Sequence, residues 1–276
     1  MNIGIIGLGL MGGSLGMALK EFPQKYHIIG HDHNKKHQKE ALLLNLVDEI
    51  SDNIEDIKSC AVIILTIPVD AIIATAQNLK DIHKDCTVID FGSSKAKISA
   101  NIPPEIRKNF VTSHPMTGTE RFGPTAAIDN LYKDKMIVVC NKEQSGELQR
   151  DIAIELFNDI DAKVIFMDAE EHDRHAAFIS HMPHAVSYAI ANSVMKQEDS
   201  GNIIALAGGG FKSMSRIAKS SPHMWENIFR QNRDNLLKSM KIFNSEMSRC
   251  QKMIEDKDWD GLHKWMLEAN RLHDIL

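Results

Sequence analysis

The chain has 276 residues, of which 43% are hydrophobic and 25% charged, and a formal net charge of -5 at pH 7. That length holds one large domain or two modest ones, with enough apolar material for a core, which excludes a disordered chain. The acidic balance excludes a broad nucleic-acid footprint, although one placed Arg can still hold a small anion.

The chain opens on a candidate strand, Asn2 to Gly7, followed by a helical pattern over Ser14 to Glu21. This start is apolar like a leader peptide but lacks a basic n-region. A second strand over His27 to Asp32 and a helix over Lys35 to Leu46 come next. Further strands are expected at Ala61 to Ile67, Thr87 to Asp90 and Phe110 to His114. Several are β-branched and apolar throughout, as in parallel strands buried on both faces. The alternation predicts a doubly wound parallel sheet, an α/β Rossmann-type architecture. Two more strands, Met136 to Cys140 and Lys163 to Met167, flank a helix around Glu147 to Asp159.

Beyond Met167 the pattern is helical to the end. Asp168 is placed to cap a helix whose first turn carries Glu170 and Glu171, where the dipole favours acids. Trp225, Ile228, Phe229, Leu236, Leu237 and Met240 recur at helix spacing, as core or subunit contacts. The expected division is a dinucleotide-binding domain over 1–167 and an all-α domain over 168–276, packed closely with a cleft between them. An apolar helical tail of this size is hard to bury in one chain, so a homodimer is expected. Cys60, Cys86, Cys140 and Cys250 are scattered without a CxxC pair, which fits reduced thiols in a cytoplasmic protein. No stretch reaches the ~18–20 uninterrupted apolar residues of a transmembrane helix, so no membrane role is expected.

The first strand runs into Gly7-Leu8-Gly9-Leu10-Met11-Gly12, a GxGxxG turn. Gly7 permits the tight turn, Gly9 lets backbone approach a pyrophosphate, and Gly12 lets the helix sit close to the strand. Leu10 and Met11 contribute the amides that open the helix and face the phosphates. Asp32, at the end of the second strand, has the spacing of a carboxylate that binds ribose hydroxyls and repels a 2′-phosphate, favouring NAD over NADP. Lys35 and Lys36 just behind it could attract an extra phosphate. Thr66 and Pro68, at the end of the third strand, are candidate floor residues for the cofactor, and Pro68 can also simply end the strand.

Three polar clusters are left unexplained by packing: Asp90-Phe91-Gly92-Ser93-Ser94-Lys95, Ser113-His114-Pro115-Met116-Thr117-Gly118-Thr119-Glu120, and His172-Asp173 with His175, His181 and His184. An imidazole titrates near neutral pH, so His114 at a strand end suits a proton acceptor. Arg216 can grip a carboxylate with two parallel hydrogen bonds. It follows Gly208, Gly209 and Gly210, which leave room for a ligand. His181 lies three residues before His184, and Pro183 is expected to kink the helix between them. Asp173 is a candidate to orient one histidine. Thr119 and Glu120, in a Gly-flanked loop, are candidates for substrate contact or gating.

GLGLMGGS at Gly7 to Ser14, His114-Pro115-xx-Gly118-Thr119-Glu120, His181-x-Pro183-His184 and GGGFK at Gly208 to Lys212 with Arg216 occur in that order. This ordered set resembles the prephenate and arogenate dehydrogenase family, over about Met1 to Trp225, with the helical tail matching its dimerisation region. The resemblance implies NAD-dependent oxidative decarboxylation of prephenate to 4-hydroxyphenylpyruvate on the route to tyrosine. It implies His114 as the partner of the ring hydroxyl, Ser93 as a second hydrogen-bonding group there, and His184 near the pyruvyl side chain. His181, Thr119, Glu120, Gly209 and Asp173 join Arg216 as expected substrate-side residues. Many relatives carry Asp where this chain has Ser213, which tilts the expectation from arogenate toward prephenate. Tyrosine feedback, where present, is expected to act at the active site or dimer interface.

Three other readings compete. A β-hydroxyacid dehydrogenase shares the architecture but places a Lys in its helical domain, and the stretch from His172 to Ala191 has none. A metal site built on His172, His175, His181 and His184 lacks an HExxH pattern, so no metal is expected. A sensor of NAD(H) without turnover is disfavoured only by His114 and Arg216.

Overall fold

The computed structural model describes residues 1–275. Eight strands form one sheet: β1 (Asn2–Ile6), β2 (His27–His31), β3 (Glu49–Ile50), β4 (Val62–Leu65), β5 (Thr87–Asp90), β6 (Phe110–Pro115), β7 (Met136–Cys140) and β8 (Lys163–Met167). Their order is β3-β2-β1-β4-β5-β6-β7-β8. The expected doubly wound sheet is present, with a reversal at one edge. β6 and β7 run antiparallel, pairing Thr112 with Cys140 and His114 with Val138. The connection between them holds only a short 3-10 turn at Pro124–Ala126. Without a crossover helix to carry it back across the sheet, the chain returns in the opposite direction.

Helices α1 (Leu10–Leu19), α2 (Lys35–Leu43), α3 (Ile54–Lys58), α4 (Val69–Asn78), α5 (Ala96–Ala100) and α6 (Glu147–Asp159) accompany the sheet. Strand side chains alternate between two buried faces. Ile3, Ile5, Val62 and Ile64 join Leu8, Leu15 and Phe157 on one face. Ile6, Ile63 and Leu65 join Ile57, Ile72 and Ile98 on the other. Helices cover both faces, so β1 and β4 need apolar side chains on both sides, which is why they read as continuous apolar runs.

After β8 come α7 (Ala169–Ala176), α8 (Met182–Met195), α9 (Ser200–Ala205), α10 (Gly209–Ser215), α11 (Pro222–Gln231), α12 (Arg233–Glu255) and α13 (Trp259–Asn270). Asp168 caps α7, its carboxylate accepting from the amides of Glu170 and Glu171. The kink expected at Pro183 is not what joins α7 to α8. A π-helical turn over Ala177–His181 absorbs the irregularity, and Pro183 sits in the first turn of α8, where a missing N–H costs little. Met1–Asn232 form one compact unit, so α7 to α11 belong with the sheet, and a second unit begins at Arg233. Among the described residues no helix is long and apolar enough to cross a membrane.

Candidate active site

The sheet register defines one edge. Ile6, Leu65, Asp90 and Thr112 stand in line across β1, β4, β5 and β6. Gly7, Thr66, the loop holding Ser93, and His114 therefore all lie at or just beyond the carboxyl ends of parallel strands, where such sheets bind ligands.

At β1 the turn has the shape its glycines predicted. Gly7 has φ +97°, and a Cβ there would stand 2.7 Å from both Ile67 and the Thr66 carbonyl oxygen. A Cβ on Gly12 would lie 1.9 Å from the Gly7 carbonyl oxygen, so only glycine allows α1 this close to the strand. Around Gly9 the nearest atom to such a Cβ is the Gly123 nitrogen at 4.0 Å. Gly9 caps α1 without a side-chain acceptor, leaving the first-turn amides of Leu10, Met11 and Gly12 for an anion. This cradle fits a dinucleotide pyrophosphate. The Leu10 side chain is buried and Met11 packs on the core, so only their backbone serves the cradle. Asp32 is nearly buried; its carboxylate accepts from Leu8 N at 2.9 Å and Asn34 N at 2.8 Å. These bonds tie the acid to the glycine turn. The Thr66 hydroxyl donates to the Gly7 carbonyl at 2.6 Å and braces the turn. Pro68 is exposed and opens α4.

A chain of polar contacts runs inward from β6. His114 Nδ1 lies 2.8 Å from His172 Nε2, and His172 Nδ1 lies 2.8 Å from Asp173 Oδ1. Asp173 also accepts from the amides of Lys95 at 2.7 Å and Ala96 at 3.0 Å. The Lys95 ammonium, fully buried, pairs with Asp90 and donates to the Ser113 carbonyl at 2.5 Å. Asn232 donates to the Asp173 carbonyl at 2.6 Å and lies 3.1 Å from His181 Nδ1. Burial holds His114 well below the usual imidazole range, and the cationic forms of His172, Lys95 and His181 push the same way. His114 is therefore a neutral imidazole at neutral pH. Ser93 is partly exposed in the loop after β5.

Two expected substrate contacts stand behind the site rather than in it. Asp173 is 3% exposed with both oxygens engaged, and His181 is 1% exposed against Asn232 and the Trp225 edge. Burial lowers His181 to about 4. His184 is better placed. It is half-buried, stacks on Trp225 at 3.5 Å between ring centroids, and approaches the Ser180 carbonyl through Nδ1 at 2.9 Å. Nδ1 must be the donor to that carbonyl, which leaves Nε2 bare. Burial lowers its pKa, aided by the charge of Arg216.

The outer group centres on Arg216, whose side chain is 60% exposed and pairs with Glu120 at 3.3 Å. Gly208, Gly209 and Gly210 have open space where a Cβ would stand. Gly118 has φ +154°, and the Thr119 hydroxyl accepts from Arg121 N at 3.2 Å, so this loop turns on itself. His172, Lys95, Asn232 and Trp225 were not read from sequence as parts of the site. The first two sat in flagged polar clusters, and Trp225 was hidden because an aromatic at helix spacing looks like core. Among the described residues no group of three or more His, Cys, Asp or Glu is arranged to hold a metal ion.

Residues 15–166 match the family model described as the prephenate dehydrogenase nucleotide-binding domain, and 168–268 match that of the prephenate dehydrogenase dimerization domain. The prephenate dehydrogenase of Bacillus subtilis is 29% identical over 99% of this chain and 75% of its own length. A structure of the prephenate dehydrogenase from Aquifex aeolicus, solved with hydroxyphenyl propionate and NAD+, is 30% identical. It superposes with a TM-score of 0.92 over 100% of this chain and 98% of its own. Arogenate dehydrogenase of Synechocystis is 26% identical, with a TM-score of 0.82 over 99% of each chain. By sequence and by fold, the chain belongs to the prephenate dehydrogenase family.

Proposed function

We propose that this NAD-dependent dehydrogenase oxidatively decarboxylates prephenate to 4-hydroxyphenylpyruvate and CO2 in the synthesis of tyrosine. The observation that carries the reading is the shared carboxyl edge, with a neutral histidine at the end of β6 beside a glycine cradle fit for a dinucleotide. NAD, when bound, supplies the hydride acceptor. Gly7, Gly9, Gly12 and the first-turn amides of α1 would hold its pyrophosphate, and Asp32 its adenosine ribose.

His114 accepts the proton of the ring hydroxyl as the carbinol carbon gives up hydride. CO2 then departs, its bonding pair aromatises the ring, and the imidazolium returns the proton to the phenolate oxygen. Ser93 orients the hydroxyl, Arg216 holds a substrate carboxylate, and bare Nε2 of His184 meets the side-chain carbonyl region. Thr119 and Glu120 border the entrance, and Gly209 leaves it room.

Prephenate is preferred over arogenate on charge. Glu120, beside Arg216, is already paired with it and lies in the field of Arg121 and Lys219. An amine-bearing substrate would meet these cations and a carboxylate already paired, and Ser213 supplies no further acid. The test is kcat/KM for prephenate and arogenate, with NAD and with NADP, in wild type and Ser213→Asp. Prephenate with NAD should be the best pair, and the added acid should narrow the preference. Better use of arogenate by the wild type would overturn the assignment.

On this reading residues 1–167 serve the dinucleotide and 168–276 serve substrate binding and dimerisation, a division by role that crosses the compact unit Met1–Asn232, in which α7 to α11 pack with the sheet. The working unit is a homodimer of the cytoplasm. Tyrosine shares the ring hydroxyl and a carboxylate with the substrate, so any inhibition by it should be competitive with prephenate, and its amine should weaken it on the same charge argument that disfavours arogenate.

A further inference from the structure

The stretch of the chain from His114 to Asp173 contains two imidazoles, and only one is needed to accept a proton. His172 is 2% exposed and can touch no substrate. Its geometry nevertheless fixes what His114 can do. Both oxygens of Asp173 accept backbone amides, those of Lys95 and Ala96. Oδ1 also meets His172 Nδ1 at 2.8 Å. A carboxylate accepts hydrogen bonds and does not donate them, so His172 Nδ1 carries the hydrogen. In a neutral ring Nε2 is then a bare acceptor. The atom facing it at 2.8 Å is His114 Nδ1, which must therefore carry a hydrogen in turn. The remaining nitrogen of His114, Nε2, is left without one.

We infer that His172 is a positioning residue, which relays the orientation of Asp173 and holds His114 as the tautomer with Nε2 free to accept a proton. The inference rests on the proposed role of His114. Lys95 secures the arrangement from both ends. Its amide anchors Asp173, and its ammonium, paired with Asp90, grips the carbonyl of Ser113, the residue before His114. The two ends of the relay, on α7 and on β6, are thus fixed to one side chain. Once His114 is protonated, its Nδ1–H still donates to His172, and Asp173 faces the positive charge from behind. No proton needs to leave the substrate-facing nitrogen for the bulk.

The test compares wild type with His172→Leu and His172→Gln. Leucine removes the acceptor for His114 Nδ1–H, whereas the Gln amide oxygen can replace it. In His172→Leu, kcat should fall about 100-fold or more, the scale of a lost general base. KM for prephenate and NADH binding, read by tryptophan fluorescence, should stay near wild type. His172→Gln should recover much of the lost kcat. Nitrogen NMR of histidine-labelled wild type should find His114 and His172 both protonated on Nδ1, with His114 losing that preference in the Leu variant. A wild-type His114 protonated on Nε2, or a Leu variant with unchanged kcat, would overturn the inference. Wild-type turnover of prephenate is measured alongside. Its absence would sink the proposed function, while the NMR reading of the relay would stand or fall independently.

Discussion

Three histidines of the site, His114, His181 and His184, have pKa values lowered chiefly by burial. Unfolded imidazoles titrate near ~6.5. The folded state resists their protonation, so its stability is full above ~6.5 and falls as pH drops toward the folded values. With His181 at about 4, its share alone comes to about 2 kcal/mol at a pH of about 5. Urea unfolding at neutral and acidic pH should show this loss, and His181→Asn should remove part of it; a slope unchanged by the substitution would contradict the assignment. Arg216→Ala should mainly raise KM for prephenate. Two charge-assisted hydrogen bonds at ~1.5–3 kcal/mol each predict a kcat/KM loss of at least about 100-fold, measured by steady-state kinetics. At this scale the sequence marks residues whose chemistry is uncommon at a strand end, and the structure puts His114 in β6 and Asp32 directly after β2, at one edge of the sheet. Asp173 meets a histidine as expected, at His172, whereas its depth and that of His181 were not legible. Burial of a polar residue depends on partners such as Asn232 and Lys95, which lie far away in the chain.

The turn from β1 into α1 separates two kinds of glycine. Gly12→Ala would put a methyl 1.9 Å from a backbone oxygen, so the helix must move, and overpacking of this kind costs at least ~1–3 kcal/mol. Gly9→Ala meets nothing inside 4.0 Å and should leave thermal stability almost unchanged while weakening NADH binding, because on the proposed reading its methyl would occupy the space left for the pyrophosphate. Thermal melts and NADH titration of both variants check the contrast, and a Gly9→Ala protein that binds NADH normally would exclude the cradle. Most strands were readable because apolar runs on doubly covered strands leave a strong signal. The two-residue β3 was not, being too short to show a period. The π turn at Ala177–His181 escaped because Pro183 offered a more familiar cause for an irregular helix.

For the molecule as a whole, the alternating pattern predicted the sheet, and two of the three polar clusters lie after β5 and at the end of β6. The reversal of β7 was not predictable from strand propensity, since direction is set by what the 116–135 connection lacks. The division at Arg233 was also hidden, because α7 to α11 are as helical as α12 and α13, and only packing distinguishes the two sets. Sedimentation should find a homodimer at micromolar concentration, and a monomer would remove residues 168–276 as an association surface. The central claim, that His114 takes the hydroxyl proton in an NAD-dependent oxidation of prephenate, is tested most directly by NADH formation in wild type and His114→Asn. The expected result is prompt turnover by the wild type and a loss of ~100-fold to 10,000-fold in kcat in the variant, which should still bind NADH. A variant as fast as the wild type would contradict the role of His114, and a wild type that leaves prephenate untouched would contradict the reaction itself.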